Sequence, residues 1–271
     1  MNPTITDVLA DMGAAGQRLD AMHAVEAGAG NLSVALRDVD GLDELFPDTE
    51  LGAPLPLAVP ELAGYTILVT GSGCRLRDVA QQPTRTVSAF IIDPDGTTAT
   101  WRYHHDRTFA RPTSEFNSHL AVHADQIGRR GIAIHAVIHA QPPYLVQLSH
   151  NAALRNNTDF NKALFRWEPE TIVQLPDGVE ILDFMVPGSD TLMENNVRGL
   201  RDHRMTIWSK HGIMVRSDVS PLDAVDKTEY AETGAMYEIR NAMEGGHGQG
   251  LLDSEIIAVI DAFGVDTPFY R

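Results

Sequence analysis

The sequence has a single cysteine and no long apolar run, and both absences narrow the class of protein. Cys74 is the only cysteine among 271 residues, so no disulfide can form within the chain, as is usual in a reducing cytosol. No segment approaches the roughly 20 consecutive apolar residues that a membrane-spanning helix needs. Residues 1–4 are not basic and no apolar run follows them, so no signal peptide is expected. These observations predict a cytoplasmic protein.

Basic residues are also scarce. The chain has 21 Lys and Arg against 37 Asp and Glu, which gives a net charge of −16. Such a chain repels phosphate backbones and anionic lipid surfaces, so nucleic acids and membranes are poor partners. Small anionic substrates can still bind to a protein of this net charge, because local dipoles can outweigh net charge. With 43% hydrophobic residues, no low-complexity stretch and no internal repeat, residues 1–271 are expected to form one domain.

Hydrophobic periodicity predicts a mixture of helices and strands. Apolar residues from Ile5 to Val25 recur at helical spacing, whereas residues 41–60, rich in Pro, Asp and Gly, are expected to form a surface loop. Ser114, Ser220 and either Asp253 or Ser254 are expected to cap helices. Further helices are predicted over residues 115–127, 143–154, 190–201, 221–245 and 253–264, and strands over 32–36, 66–69, 87–92, 97–103, 132–139, 173–176, 179–184, 206–208 and 213–215.

Two histidines and one glutamine could form a metal site. His139 and Gln141 lie two residues apart near the end of a predicted strand, so their side chains share a face, with Cα atoms roughly 6–7 Å apart. His211, in a turn between two strands, could supply another ligand, and zinc commonly takes three protein ligands. His135 lies on the same face but roughly 13 Å from His139, too far to share the ion. Taken singly, each histidine is more often a structural residue, and an amide oxygen such as that of Gln141 is a poor zinc donor.

Glu115 is a candidate general base. A carboxylate at a helix start is favoured by the helix dipole, which keeps it ionised. It could move a proton beside a metal ion, or serve only as a helix-start acid. His119, four residues further on the same helical face, could orient Glu115 or pair with it.

Two glycine-rich turns could present backbone N–H groups to a phosphate. They are Gly28-Ala29-Gly30-Asn31 and Thr70-Gly71-Ser72-Gly73, and neither has the spacing of a nucleotide-binding loop. Arg75 and Arg77 follow the second turn and would favour an anion. Cys74 lies beside it and is expected to be a packed rather than a reactive thiol.

Several runs together resemble the class II aldolase and adducin family. The runs follow the family's order along nearly the whole chain, and two of them, Leu175–Val179 and Val186–Gly188, point to its rhamnulose branch. The runs that carry the resemblance are Gly30-Asn31-Leu32-Ser33, Val69-Thr70-Gly71-Ser72-Gly73, Pro112-Thr113-Ser114-Glu115, Ile138-His139, Leu175-Pro176-Asp177-Gly178-Val179, Met185-Val186-Pro187-Gly188 and Lys210-His211-Gly212.

The resemblance implies a fold and an activity. It implies a three-layer αβα sandwich around a largely antiparallel sheet, assembled as a homotetramer with sites at subunit interfaces. It also implies cleavage of a ketose 1-phosphate, similar to rhamnulose 1-phosphate, into dihydroxyacetone phosphate and a small aldehyde through a metal-stabilised enediolate. The cofactor would be one Zn²⁺ or another divalent metal per chain.

The same resemblance implies roles for individual residues. His139 and His211 would bind the metal, together with Gln141 at the position of a third ligand. Glu115 would be the acid/base at the metal, and Glu170 a second carboxylate that transfers a proton to the intermediate. The substrate phosphate would be held by Gly30, Asn31, Ser72, Gly73 and Ser114.

Three residues depart from the family pattern. Gln141 stands where the family has a second histidine, Gly28 where close relatives have asparagine, and Cys74 where they have lysine. These departures leave two other hypotheses open. One is a non-catalytic or repurposed adducin-like binding protein with a degraded metal site. The other is a sugar-phosphate epimerase, which uses related carbon–carbon cleavage chemistry.

Overall fold

Helices and strands are interspersed along the chain. The computed structural model describes residues 2–270. The helices are α1 Ile5–Ala21, α2 Leu42–Leu45, α3 Pro83–Thr86, α4 Phe116–Arg130, α5 Pro143–Leu148, α6 Asn157–Phe165, α7 Pro169–Gln174, α8 Asp190–Asp202, α9 Pro221–Met243 and α10 Asp253–Phe263. The strands are β1 Asn31–Leu36, β2 Asp48–Pro54, β3 Thr66–Thr70, β4 Val87–Ile92, β5 Thr98–Tyr103, β6 Ile134–Ala140, β7 Val179–Leu182, β8 Met205–Trp208 and β9 Gly212–Ser217.

The strands of residues 2–270 form one nine-stranded sheet, in the order β2-β5-β4-β3-β1-β6-β9-β8-β7. Every neighbouring pair is antiparallel except β7 and β8, which are parallel. In the central pair β1 and β6, the register places Asn31 directly opposite His139 and Ala35 opposite His135. Residues opposite each other in a sheet project to the same face, so Asn31 and His139 are neighbours on one side.

Helices cover both faces of the sheet, which confirms the predicted three-layer αβα sandwich. On one face, α1 and α9 pack over Leu32, Val34 and Ile138. On the other face, α4 and α8 pack over β6, β8 and β9. Apolar side chains from both layers are removed from water, each fully buried leucine or valine contributing roughly 1.5–3 kcal/mol before the entropy of folding is counted. No helix of residues 2–270 has the length and apolar character to cross a lipid bilayer.

The prediction of a loop over residues 41–60 was wrong. The segment contains the short helix α2 and the strand β2, which pairs with β5 at one edge of the sheet. Most β2 side chains are exposed, and Gly52 and Pro54 lie within the strand. An exposed edge strand of this kind needs no alternation of apolar and polar residues, which explains why periodicity did not predict it.

Several other boundaries differ from those predicted. Residues 173–176 were predicted as a strand but end the short helix α7, and α6 was not predicted. Helix α1 ends at Ala21, although Val25 beyond it is buried as expected. Ser114 is not the cap of α4, because Glu115 occupies that position, and α10 is capped by Leu252 instead of Asp253 or Ser254. The predicted cap Ser220 is confirmed, since its hydroxyl accepts the N–H of Asp223.

Candidate metal centre

One polar cavity of about 170 Å³ contains nearly all of the site residues predicted from the sequence. It lies where β1 begins and β6 ends, beside the start of α4 and the turn between β8 and β9. Among the predicted site residues, its lining includes Gly30, Asn31, Ser72, Gly73, Ser114, Glu115, His139, Gln141 and His211. The structure therefore brings together residues that are up to 181 positions apart (211 − 30).

Three of these residues are close enough to hold one metal ion. Ligand atoms of Glu115, His139 and His211 all lie within 4.8 Å of one another. Nε2 of His139 is 3.7 Å from Oε2 of Glu115, and both side chains are nearly inaccessible to solvent. Two imidazoles and one carboxylate form a donor set that zinc and other divalent transition metals accept.

His139 is held in the orientation and tautomer that a metal ligand needs. Its Nδ1–H donates a hydrogen bond of 2.8 Å to the carbonyl oxygen of Ile213 on β9. Nε2, which faces Glu115, is consequently the nitrogen left available to bind a metal ion. The indole ring of Trp208 stacks on the imidazole with 4.6 Å between ring centroids, which restricts rotation of the ring.

His211 and Gln141 each present a buried atom without a protein partner. Nδ1 of His211 and Oε1 of Gln141 make no hydrogen bond to any residue in 2–270. Burial, reinforced by the nearby His139, lowers the pKa of His211, so this imidazole is neutral, as metal binding requires. Unsatisfied buried polar atoms are uncommon, and both residues line the cavity that contains the candidate metal ligands. The side chains present thus fit a divalent metal.

Glu115 is held by Asn31. Nδ2 of Asn31 donates a hydrogen bond of 2.9 Å to Oε2 of Glu115, and His119 bonds to the amide oxygen of the same Asn31. His119 therefore acts on Glu115 through Asn31, and the direct contact considered from their four-residue spacing is not formed. Gly30 allows the backbone turn that positions Asn31. Its φ of +81° favours glycine, and a Cβ at this position would lie 2.6 Å from Val25.

The two glycine-rich turns meet at the cavity, where a Cβ on Gly28 would lie 3.1 Å from the carbonyl oxygen of Gly73. The backbone N–H of Ser72 donates to the carbonyl of Arg111, so Ser72 can offer only its hydroxyl to a ligand. Arg77 forms an ion pair with Asp20 at 2.9 Å instead of facing the cavity. Among residues 2–270, no lysine or arginine lines this cavity. A phosphate bound within one chain would therefore rely on neutral N–H and O–H donors.

Glu170 lies apart from the other predicted site residues. It is exposed in the first turn of α7 and does not line the cavity. A larger and more apolar cavity of about 560 Å³ adjoins the metal site and shares Thr113 and Ser114 with it. Its lining includes Phe90 and Trp101, neither of which the sequence had marked as a site residue.

Comparison with known proteins identifies the family. A family model described as the class II aldolase and adducin N-terminal domain matches residues 10–239. The chain belongs to this family. It is an aldolase, an aldehyde-lyase, because the curated relatives that span most of its length carry that activity.

Two of these relatives are rhamnulose-1-phosphate aldolases. The protein from Escherichia fergusonii is 30% identical over 245 residues, which cover 89% of this chain and 87% of that protein. The protein from Citrobacter koseri is 29% identical over 249 residues with the same coverage.

Solved structures share the fold. A sugar-phosphate aldolase from Thermotoga maritima superposes with a TM-score of 0.73 at 22% identity, covering 91% of this chain and 99% of that one. An L-fuculose 1-phosphate aldolase gives a TM-score of 0.61 at 19% identity, covering 96% and 97% of the two chains.

Proposed function

We propose that this aldolase cleaves a ketose 1-phosphate similar to rhamnulose 1-phosphate into dihydroxyacetone phosphate and a small aldehyde. The observation that carries the proposal is the cluster of Glu115, His139 and His211, whose ligand atoms lie within 4.8 Å of one another at one polar cavity. The relatives that match nearly the whole chain act on rhamnulose 1-phosphate. A role in rhamnose metabolism follows, and the lack of an internal disulfide suits a cytoplasmic location.

His139 and His211 would hold one Zn²⁺ per chain, with Gln141 as a weak third ligand or Glu115 completing the shell. A bound divalent metal supplies Lewis acidity, which stabilises the negative charge that carbon–carbon cleavage leaves on a carbonyl-derived oxygen. Trp208 and the carbonyl of Ile213 keep the His139 ring in place for this task. An amide oxygen is a poorer zinc donor than an imidazole, so Gln141 would hold the metal less tightly than a histidine at the same position.

Glu115 would take up and return protons at the substrate. When the hydroxyl next to the breaking bond loses its proton, its oxygen becomes the aldehyde carbonyl, and the electron pair of the carbon–carbon bond remains on the dihydroxyacetone phosphate fragment. Glu115 is buried beside the histidines and is held by the Asn31 amide, and a general acid/base needs such a fixed position near the substrate. Gly30, Asn31, Ser72, Gly73 and Ser114 would hold the phosphate through neutral donors.

Glu170 would return a proton to the fragment from a neighbouring subunit. Within one chain it is exposed and lies outside the cavity, so it needs a second copy to bring it near a metal site. A homotetramer with sites at its subunit interfaces would provide that copy.

Metal content and cleavage of a substrate panel test the proposal. We would purify the protein without chelator or affinity-column metal, measure metal per chain, and assay rhamnulose 1-phosphate, fuculose 1-phosphate and unphosphorylated rhamnulose. About one divalent ion per chain is expected, with release of dihydroxyacetone phosphate that stops on chelation and returns with zinc or cobalt. No cleavage by the zinc-loaded protein, in an assay where a rhamnulose-1-phosphate aldolase is active, would refute the proposal.

The same assays separate the other two hypotheses. An adducin-like binding protein with a degraded metal site would take up no metal even after incubation with zinc. A sugar-phosphate epimerase would convert the substrate into its stereoisomer and release no dihydroxyacetone phosphate. The unphosphorylated ketose shows whether phosphate is required, which matters because the described residues around the cavity include no cationic side chain.

A further inference from the structure

A chain of buried polar side chains runs from Glu115 through the layer between the sheet and α4. It passes from Asn31 to His119, Ser33, His123 and His135 in that order. Ser33, His119, His123 and His135 are each inaccessible to solvent. Such groups are costly to bury, and several histidines in contact with one another are not needed to fill a core.

The direction of every hydrogen bond in this chain follows from its first member. The NH₂ of Asn31 donates to Oε2 of Glu115, so the amide oxygen is left to accept from Nε2–H of His119. A neutral His119 accepts at Nδ1 from the hydroxyl of Ser33, at 2.6 Å. Ser33 has then used its one proton, so it accepts from Nε2–H of His123 at 2.7 Å.

The far end of the chain is fixed in the same way. A neutral His123 accepts at Nδ1 from Nδ1–H of His135, at 2.7 Å. Burial is the main cause that lowers the pKa of His119, His123 and His135, and nearby histidines and arginines lower it further, which keeps these three rings neutral. Nε2 of His135 has no hydrogen-bond partner among residues 2–270, and it lies 3.9 Å from Oδ1 of Asp218 at the surface.

We propose that Ser33, His119, His123 and His135 are positioning residues that lock the Asn31 amide with its NH₂ on Glu115, and so fix the Glu115 carboxylate beside the metal site. The role in turnover rests on the proposed aldolase function, whereas the locked amide is a property of the fold. An isolated asparagine side chain can turn by half a rotation and present its oxygen, which would repel the carboxylate. The one-way chain of donors prevents this rotation, since a turned amide would place its NH₂ against Nε2–H of His119.

Neutron crystallography of the perdeuterated wild-type protein tests the chain without reference to activity. We expect deuterium on Nε2 of His119 and His123, on Nδ1 of His135, and on the Ser33 hydroxyl towards His119. Deuterium on Nδ1 of His119, or a Ser33 hydroxyl that points to His123, would overturn the proposal. In the Ser33→Ala variant, we expect the Asn31 amide to occupy both orientations. A single unchanged orientation would also overturn it.

Kinetics of matched serine variants test the positioning role. Ser33→Ala should lower kcat between about 10- and 100-fold with little change in KM, because supporting contacts of a metal site have effects of that size. Ser88→Ala is the control. Ser88 is equally buried in a strand, accepts Nε1–H of Trp101 at 2.9 Å, and takes no part in the chain. Equal effects of the two variants on kcat would overturn the proposal.

Two substitutions of His119 distinguish positioning from general stability. His119→Gln can still extend an N–H to the Asn31 oxygen, whereas the shorter His119→Asn cannot. We expect Gln to retain more of kcat than Asn even when both lower the melting temperature alike, and equal losses of kcat would contradict the positioning role. If the zinc-loaded wild type cleaves no substrate, the proposed function fails. The neutron maps of wild type and Ser33→Ala then test, on their own, whether the chain of hydrogen bonds fixes the Asn31 amide.

Discussion

At the scale of single residues, Gln141 is the residue of the candidate metal site that chemistry favours least as a ligand, because an amide oxygen is a weak zinc donor. Its position after β6 and its place in the cavity match those of a ligand, yet its amide oxygen is buried with no hydrogen-bond partner among residues 2–270. His139 and His211 keep free ring nitrogens nearby, and Glu115 adds a carboxylate to them. The geometry therefore retains two histidines and one carboxylate that could hold a metal ion, with Gln141 as the weakest potential ligand.

Replacing Gln141 by histidine should strengthen metal binding. An imidazole is a better zinc donor than an amide oxygen, so we expect zinc affinity to rise about tenfold or more, equivalent to roughly 1.4 kcal/mol or more. Competition with a chromophoric chelator measures the change. Gln147→His, at an exposed position of α5, controls for weak binding by an added surface histidine. Equal affinities of the two variants would mean that residue 141 does not face the ion.

Cys74 should behave as a packed thiol. Burial raises its pKa, and its Sγ lies 3.7 Å from the hydroxyl of Thr108 instead of lining the cavity. Since the thiolate is the reactive species, we expect Ellman's reagent to label the native protein at pH 8 at least about tenfold more slowly than the urea-unfolded chain. Similar rates in both states would show that the thiol is accessible.

At the scale of elements, the sequence predicts those whose pattern is local. The β4–β5 hairpin and the long helix α9 were predicted close to their observed bounds, because a turn motif and a Ser-Pro start mark them. Strand β2 was missed because it is an exposed edge strand, and helix α7 was misassigned because it is a helix of only six residues that ends close to Pro176.

The site shows the same division between local and distant contacts. Family motifs marked the residues around His139, but the chain from Ser33 to His135 depends on contacts between residues 12 to 90 positions apart, for which spacing gives no signal. Glu115 and His119 illustrate the difference, since their helical spacing suggested that His119 could orient Glu115 or pair with it, but gave no sign that Asn31 lies between the two side chains.

Helix α5 depends on a buried carboxylate from α9, which should make stability depend on pH. Glu232 accepts the backbone N–H groups of Tyr144 and Leu145 at 2.8 Å each, in the first turn of α5. Burial raises the pKa of Glu232 from 4.5 to about 7, although these two hydrogen bonds lower it. Because the folded protein then holds this proton more tightly than the unfolded chain, the contribution of Glu232 to stability falls as pH rises from about 4.5 to about 7.

Urea unfolding of the wild type and Glu232→Gln at pH 5, 6, 7 and 8 measures this effect. The glutamine does not titrate, so the variant should gain on the wild type with rising pH, by a few kcal/mol at most. Glu244→Gln, an exposed change at the end of the same helix, shows the effect of removing one negative charge alone. A pH-independent difference between the wild type and Glu232→Gln would rule out this role.

At the scale of the whole molecule, the single sheet supports our proposal that residues 1–271 form one domain. Two other features support an active assembly of several chains. Glu170 is exposed and outside the cavity, and so are the large apolar side chains Phe184 and Val186 just before α8. A homotetramer of 29.7 kDa chains would cover apolar surface and bring a second carboxylate to each site. Multi-angle light scattering should therefore give about four times the mass of one chain.

Subunit exchange between two inactive variants tests whether an active site draws on two chains. Glu115→Gln and Glu170→Gln should each be nearly inactive as pure assemblies, since each lacks one of the proposed proton-transfer groups. If Glu170 acts across an interface, mixed assemblies restore about a quarter of wild-type activity, because random pairing joins an intact Glu115 to an intact Glu170 at about one interface in four. If both carboxylates served the same chain's site, no mixture would recover activity. A mixture of wild type with Glu115→Gln is the control: its activity should stay proportional to the fraction of intact Glu115 whether or not subunits exchange, which shows that an inactive neighbour does not impair an intact site.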